Sequence, residues 1–164
     1  MATEPTVRHT VLDRLLRTDR RWDGTRPEGW RESLEVAKKT LLRDLQWLLN
    51  TRQLSEPAGP PFEFLPRSLY NYGIPDISSL SADSSETAGR LLRFIERAVE
   101  DFEPRLSDVK VTLAESRSRT DRRVEFLIEA NMRVEPDPER VEFDTVLEVS
   151  SGKFALTTRK SAHD

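Results

Sequence analysis

The chain has no cysteine and only two histidines among its 164 residues. Without cysteine it has no disulfides, thiolate metal sites or cysteine nucleophiles, which suits a reducing compartment. His9 and His163 lie in the two terminal tails, where they do not readily form a metal cluster or a serine–histidine pair. The six glycines form no phosphate-binding loop. We therefore expect no metal, cofactor or small-molecule ligand.

A basic excess and a long apolar run are also missing. The 26 basic and 29 acidic side chains give a formal net charge of −3, so no general positive field attracts nucleic acid or an anionic membrane. No apolar stretch is long enough to cross a bilayer, and residues 1–5 lack the pattern of a secretion signal. The composition predicts a soluble cytoplasmic protein that binds neither nucleic acid nor membrane.

Two segments have the period of an amphipathic helix. Residues 32–51 place an apolar stripe on one side, made of Leu34, Ala37, Leu41, Leu45 and Leu48 and widened by Leu42 and Leu49. We expect Lys38, Lys39, Arg43 and Asp44 on the exposed side, and Trp47 either in the core or in a contact surface. A second stripe runs from Ala88 to Phe102, and Asp83 with Glu86 predicts a capping box before it.

The last third of the chain alternates apolar and polar residues as strands do. The pattern predicts strands near residues 109–113, 124–134, 141–149 and 154–158, with a turn at 135–138 and a tight connection at 150–152. Acidic side chains alternate with the apolar ones, so one face of the sheet is expected to be solvated. Consecutive strands of such a meander leave the first and the last as edges that can accept a strand from another chain.

These patterns predict an α+β fold, in which two long helices pack on one face of a four-stranded antiparallel meander. We expect three parts: an N-terminal helical arm at residues 1–30, a single domain at 31–160 and a short tail at 161–164. In the arm, Val11, Leu12 and Leu15 share one face of a short helix and are candidate docking residues. The arm docks either onto the rest of this domain or onto a partner.

The joint between the second helix and the sheet carries Glu103, Pro104 and Arg105. Pro104 ends the helix and restricts Glu103, so the backbone largely fixes the direction of both charged side chains. One interpretation is that Arg105 binds a partner carboxylate and Glu103 a partner arginine. In the other, proline only ends the helix and both charges lie in water. In either case we expect Arg105→Ala to leave the fold nearly intact.

A loop rich in aromatics precedes the second helix. In residues 68–76, turn formers alternate with large rings, and Gly73 can adopt a positive φ. We expect an ordered loop packed by its own aromatics, with Tyr70, Asn71 and Tyr72 as candidate partner contacts.

Together these segments resemble the TssE family, a baseplate component of bacterial type VI secretion systems. The resemblance rests on residues 11–15, 42–52 and 68–76, on the Glu103-Pro104-Arg105 joint, and on Pro136-Asp137-Pro138 with 143–145. It implies a structural subunit with no reaction, similar to the wedge protein that starts the sheath of contractile-tail phages. The implied partners are the wedge proteins TssF and TssG, which the Glu-Pro-Arg joint would dock, and the sheath proteins TssB and TssC. The implied location is the cytoplasmic side of the inner membrane.

Two alternatives stay open. A similar fold serves a regulatory anti-adaptor that blocks a proteolysis adaptor. A lysozyme-like glycosidase would need paired carboxylates, for which Glu100, Asp101 and Glu103 are the candidates.

Proline probes of the edge strands follow from the predicted meander. We expect that in each of the pairs Ala155/Thr157 and Lys110/Thr112 one N–H faces outward and the other inward, so that only one proline per pair is tolerated.

Overall fold

A computed structural model describes residues 30–54, 64–76, 85–114 and 123–159. These segments contain two long helices, two short 3-10 helices between them in the chain, and then four strands. In chain order they are α1 (Trp30–Asn50), the 3-10 helices Leu65–Arg67 and Leu69–Asn71, α2 (Ser85–Phe102), β1 (Leu106–Leu113), β2 (Arg123–Met132), β3 (Glu139–Glu148) and β4 (Lys153–Thr158).

The four strands form one antiparallel sheet in the order β1-β2-β3-β4. The predicted α+β class and the four-stranded meander are confirmed, and β1 and β4 are the two edges. The connection from β3 to β4 closes with a hydrogen bond of 2.8 Å from the Gly152 N–H to the Glu148 carbonyl. Gly152 has a φ of 64°, a conformation that glycine adopts without strain.

Strand β1 begins three residues earlier than the alternation predicts. Leu106 and Val111 both point into the core although they are five residues apart, which a strict two-residue period forbids. The register shifts between Ser107 and Lys110, and Asp108 there has a φ of 54°. This bulge inserts one extra residue and restores the inward direction of the apolar side chains.

One apolar core joins both helices to the inner face of the sheet. Helix α1 lies against β4, and α2 lies against β1. The largest fully buried apolar side chains come from both helices, the sheet and the loop before α2: Leu41, Leu45, Leu49, Ile74, Ile95, Val99, Phe126, Ile128 and Phe143. Removing one of the large ones should cost about 2 to 5 kcal/mol, because the cavity cannot collapse fully.

The exposed side of α1 differs from the prediction at two positions. Lys38 is largely buried and donates to Glu139 at 2.9 Å, which ties α1 to the start of β3. Asp44 is also largely shielded from solvent and bonds across the molecule. Trp47, which the sequence left between core and contact surface, is 48% exposed, with the Arg43 guanidinium 4.8 Å from its ring centre.

A short parallel bridge ties the end of α1 to the loop before α2. The Ile74 N–H donates to the Thr51 carbonyl at 3.0 Å, and the Gln53 N–H donates to the Ile74 carbonyl at 2.9 Å. Gly73 has a φ of 108°, and a Cβ on it would overlap the Thr51 carbonyl. Only glycine allows this close approach.

Several predictions fall outside the described residues. These are the arm helix with Val11, Leu12 and Leu15, the tail at 161–164, and Asp83 of the capping box. In the segments that are described, neither α1 nor α2 is apolar enough over its length to cross a membrane.

Candidate functional site

The joint between α2 and β1 is a tight turn closed by the backbone. The Glu103 N–H still donates to the Val99 carbonyl at 2.9 Å, and the Leu106 N–H donates to the Glu103 carbonyl at 3.0 Å. Pro104 has no N–H and lies exposed at the corner. The Arg133 N–H then donates to the Arg105 carbonyl at 2.8 Å. The joint is therefore fixed to the end of β2 as well as to α2.

The two charged side chains of the joint bind each other. The Arg105 Nε and Nη2 donate to the two Glu103 carboxylate oxygens at 2.6 and 2.5 Å. Nη2 also donates to Asp44 Oδ2 of α1, at 2.6 Å. Glu103 is only 6% exposed, whereas the Arg105 side chain keeps 21%. This two-pronged pair is the strong form of a charge-assisted hydrogen bond, and it connects α1 to the joint.

Asp44 also binds a second arginine. The Arg43 Nε and Nη2 donate to Asp44 Oδ1 at 3.0 and 2.8 Å, while Arg105 holds the other oxygen. The same Arg43 guanidinium lies over the exposed Trp47 ring. The exposed surface of α1 is thereby continuous with the charged cluster of Glu103, Arg105 and Asp44, here called the joint cluster.

Burial and charge shift two pKa values in this region. Burial alone lowers the pKa of Arg105, but hydrogen bonds and attraction from Glu103 and Asp44 outweigh it and raise the pKa above its ordinary value. The pKa of the Tyr72 phenol is raised by burial first, and then by repulsion from Asp44 and Glu103. Arg105 is cationic and Tyr72 neutral at physiological pH.

The interpretation that both charges of the joint lie in water is wrong. Glu103 and Arg105 neither lie in water nor wait unpaired for a partner, because each is engaged within the domain. It follows that Arg105→Ala cannot be a neutral surface change. The sequence did not reveal Asp44 as the third member, since it stands 61 residues before Arg105 on a different helix. Binding of a partner by Glu103, Pro104 and Arg105 stays a prediction.

The aromatic loop packs on α2 and is tied to the residues that follow α1. Tyr72 packs edge-on against Phe102 of α2, with ring centres 5.3 Å apart. Asn71 is buried, and its carbonyl accepts from the Gln53 side chain at 3.2 Å. Tyr70 is 45% exposed and Leu69 more so. Of the three predicted contact residues, Tyr70 is the most exposed, and its partner role stays a prediction.

The three candidate catalytic carboxylates do not share a cleft. An open cleft of about 490 Å³ is lined by Glu100 and Asp101, together with Glu96, Arg67, Arg93 and Arg97. Asp101 there faces Arg67 at 3.3 Å and Arg97 at 3.6 Å. Glu103 is not among the lining residues. Among the residues that the structure describes, no group of three histidine, aspartate or glutamate side chains could hold a metal ion.

Edge strand β1 is covered at its middle by α2. The Val111 N–H points away from β2 and donates to Glu96 Oε1 at 2.9 Å. The Ala114 N–H donates inward to the Glu125 carbonyl, so the N–H of Leu113 points outward like that of Val111. The bulge at Asp108 interrupts the strand on the other side. This edge offers only short runs of free backbone.

Edge strand β4 is covered at its start by α1. The Asn50 amide accepts from the Phe154 N–H and donates to the Phe154 carbonyl, both at 3.0 Å. The Arg159 N–H donates inward to the Glu142 carbonyl, which fixes the alternation: the backbone groups of Phe154, Leu156 and Thr158 face outward. Neither Asn50 nor Glu96 was singled out from sequence. Their partners are 104 and 15 residues away, and a polar residue on a helix gives no signal of such a contact.

The alternation corrects the expected proline probes. Residues two apart in a strand direct their N–H groups to the same side. Ala155 and Thr157 both face β3, and Lys110 and Thr112 both face β2, so neither pair contains an outward N–H. Thr158 and Leu113 have the outward N–H groups that such a test requires, and both are exposed.

Residues 35–137 match the family model described as "Baseplate wedge protein gp25". The chain belongs to this family. The matched range is more than half of the chain and runs from α1 to the turn after β2; β3 and β4 lie beyond it. The family resemblance inferred from sequence is thereby confirmed, and the chain has a structural role in a baseplate.

One solved structure and the curated proteins complete the comparison. The fold is similar to a chain of a structure described as "The baseplate complex from the type VI secretion system", with a TM-score of 0.47 and 19% sequence identity. The similarity covers 77% of this chain and 97% of that chain. No curated protein sequence matches.

Proposed function

We propose that this baseplate protein is the wedge subunit of a type VI secretion system, and that it starts the contractile sheath. It binds TssF and TssG in the wedge, at the cytoplasmic side of the inner membrane, and receives the first TssB and TssC subunits. The observation that carries the proposal is the match to the baseplate wedge family. The TssE-like motifs at residues 42–52, 68–76 and 103–105 support the type VI assignment. The role is assembly, without a chemical reaction.

The sheath starts by strand addition at β4. Leu156 and Thr158 direct their backbone groups outward, and these groups have no hydrogen-bond partner among the described residues. Such an edge binds an extended segment through its backbone, and side chains at alternate positions set the register. On β1 the central outward N–H is already bonded to Glu96, which makes β1 the weaker candidate.

The wedge docks on the surface around the joint. Pro104 is exposed at the corner, and Arg105 keeps a fifth of its side chain accessible beside it. The internal ion pairs hold Glu103 and Arg105, the neighbours of Pro104 on both sides, so the partner meets a preformed surface and loses little entropy on binding. Tyr70, and Val11, Leu12 and Leu15 of the arm, are further proposed contacts.

A charge placed on Pro104 tests the docking surface without breaking the ion pairs. We expect Pro104→Glu to weaken binding to purified TssF–TssG at least tenfold, because it adds a negative charge in the interface. The control is Pro138→Glu, which changes another exposed proline in the turn before β3. Both variants should melt close to the unchanged protein. Wild-type affinity in a folded Pro104→Glu variant would exclude docking at the joint, and absence of any TssF–TssG complex would exclude the type VI assignment.

A further inference from the structure

The Asn50 side chain occupies the place of a neighbouring strand at the start of β4. Its amide oxygen and nitrogen bind the N–H and the carbonyl of Phe154, the same two groups that a residue of an added strand would use. The Asn50 Nδ2 also donates to the Gln46 carbonyl at 2.8 Å, which fixes the amide on its own helix. We call these two hydrogen bonds to Phe154 the Asn50 clamp.

A second side chain extends the covered part toward the hairpin. Arg52 Nη2 donates to the Gly152 carbonyl at 2.7 Å. A Cβ on Gly152 would overlap this guanidinium, so the glycine permits the approach. Asn50, the last residue of α1, and Arg52, two residues later, therefore cover the first part of the β4 edge.

The open part of the edge begins directly after the clamp. Leu156 and Thr158 point their backbone groups outward, and nothing in the described part of the chain binds them. Helix α1 packs against β4, and its Leu42, eight residues before Asn50, is half-buried against the core. Because α1 lies on one face of the sheet at β4, an added strand that runs along this edge would turn alternate side chains to the α1 side.

We propose that the Asn50 clamp sets the register of the added strand. The inference rests on the proposed strand addition at β4 and goes beyond it, because it states where the strand must stop. The occupant is an extended segment of another protein with an apolar residue on the α1 side, recognised by its backbone at Leu156 and Thr158. It cannot shift toward the hairpin, since the groups of Phe154 are already bound. A slip of one residue would turn its apolar side chains to solvent, and a slip of two residues toward the hairpin meets the clamp.

Hydrogen exchange in the free protein tests the clamp itself. In the unchanged chain the Phe154 amide should exchange at least tenfold more slowly than those of Leu156 and Thr158. In Asn50→Ala it should exchange as fast as they do, while the inward amide of Ala155 keeps its protection. The control is Gln46→Ala, an exposed position one turn earlier on the same helix. A Phe154 amide that exchanges as fast as Leu156 in the unchanged protein would overturn the inference, even if Asn50→Ala did not fold.

Cross-linking to the sheath tests the register. Because the chain has no cysteine, Thr158→Cys creates a single site on the exposed edge. It is combined with purified TssB–TssC in which single cysteines scan each terminal segment. We expect one partner position to react with the otherwise unchanged chain. With Asn50→Ala we expect additional positions two residues away, and with Gln46→Ala the original one.

The outcomes separate the two proposals. If the same single partner position reacts with the otherwise unchanged chain and with Asn50→Ala, the clamp does not set the register, while strand addition at β4 is still supported. Reaction at no position, with folded protein, overturns strand addition at β4 and the inference together. New positions two residues away in Asn50→Ala alone support both.

Discussion

The two edges of the sheet are covered in different ways. On β1, Glu96 of α2 binds the central outward N–H, and a bulge at Asp108 interrupts the strand before it. On β4, Asn50 of α1 binds only the first outward residue, and the rest of the strand stays regular. A helix side chain in the middle of an edge divides it, whereas one at the start leaves a continuous template. Of the two edges, β4 therefore has the longer regular run of outward backbone groups that the described residues leave unbound.

Loss of Arg105 should have the largest effect on the free energy of unfolding, because the joint connects α1 and α2 to the β1 side of the sheet. Arg105→Ala leaves the buried Glu103 carboxylate without its two-pronged partner and should lower the free energy of unfolding by about 3 kcal/mol. This reverses the expectation from sequence. Chemical denaturation measures this loss of stability. The control is Arg133→Ala, which removes an exposed arginine just after β2 and should change the free energy of unfolding by no more than about 0.5 kcal/mol. Equal stability of the two variants would show that the ion pairs contribute nothing.

A smaller loss of stability should follow when the hydrogen bond between Glu96 and the middle of β1 is removed. Glu96→Ala removes a charge-assisted hydrogen bond to Val111 and should cost about 1 kcal/mol. Exchange of the Val111 amide should accelerate at least tenfold, and the β1 edge should then resemble β4. Glu96→Gln, which keeps an acceptor oxygen, should retain most of the protection. If Val111 exchanges equally in all three proteins, the bond to Glu96 does not cover this edge.

The smallest effect concerns Tyr72 beside the joint cluster. Burial, with repulsion from Asp44 and Glu103, raises its pKa in the folded state above the ordinary value of a tyrosine, so the folded protein holds the phenol proton more tightly than the unfolded chain. This contribution is fully present below pH 10 and is lost as the pH rises through the folded pKa. Tyr72→Phe lacks the proton and should lose less stability than the unchanged protein above pH 10. Parallel alkaline unfolding curves of the two proteins would contradict the shift.

The sequence predicted the parts of the fold that depend on local periodicity. The helices followed from apolar stripes and the strands from alternation, because these periods decide which face is buried. It missed the start of β1, since the bulge at Asp108 breaks the alternation there. The sequence also identified the joint but not its internal pairing. The identity of the third partner, Asp44, depends on how α1 lies against the rest of the domain, and single-sequence patterns carry no such information.

The covered edges escaped prediction for the same reason. An asparagine near a helix end has an obvious local use, bonding the helix's own carbonyls, and Asn50 does bond to that of Gln46. Its second use, on Phe154, needs the tertiary arrangement of α1 and β4. Partner contacts are still harder to predict from one sequence, because they also depend on the surface of another protein.

Proline substitution at the two outward positions tests most directly that β4 is the growing edge. Thr158→Pro and Leu113→Pro each remove one outward N–H and spare the ladder, so both proteins should stay folded and bind TssF–TssG. Thr157→Pro and Thr112→Pro, whose N–H groups face inward, should each cost about 2 kcal/mol or more and serve as controls for ladder damage. With fluorescent sheath in cells, the account predicts that Thr158→Pro abolishes sheath initiation at baseplates and that Leu113→Pro leaves it normal. Normal initiation with a folded Thr158→Pro variant, or its loss with Leu113→Pro alone, would contradict the account.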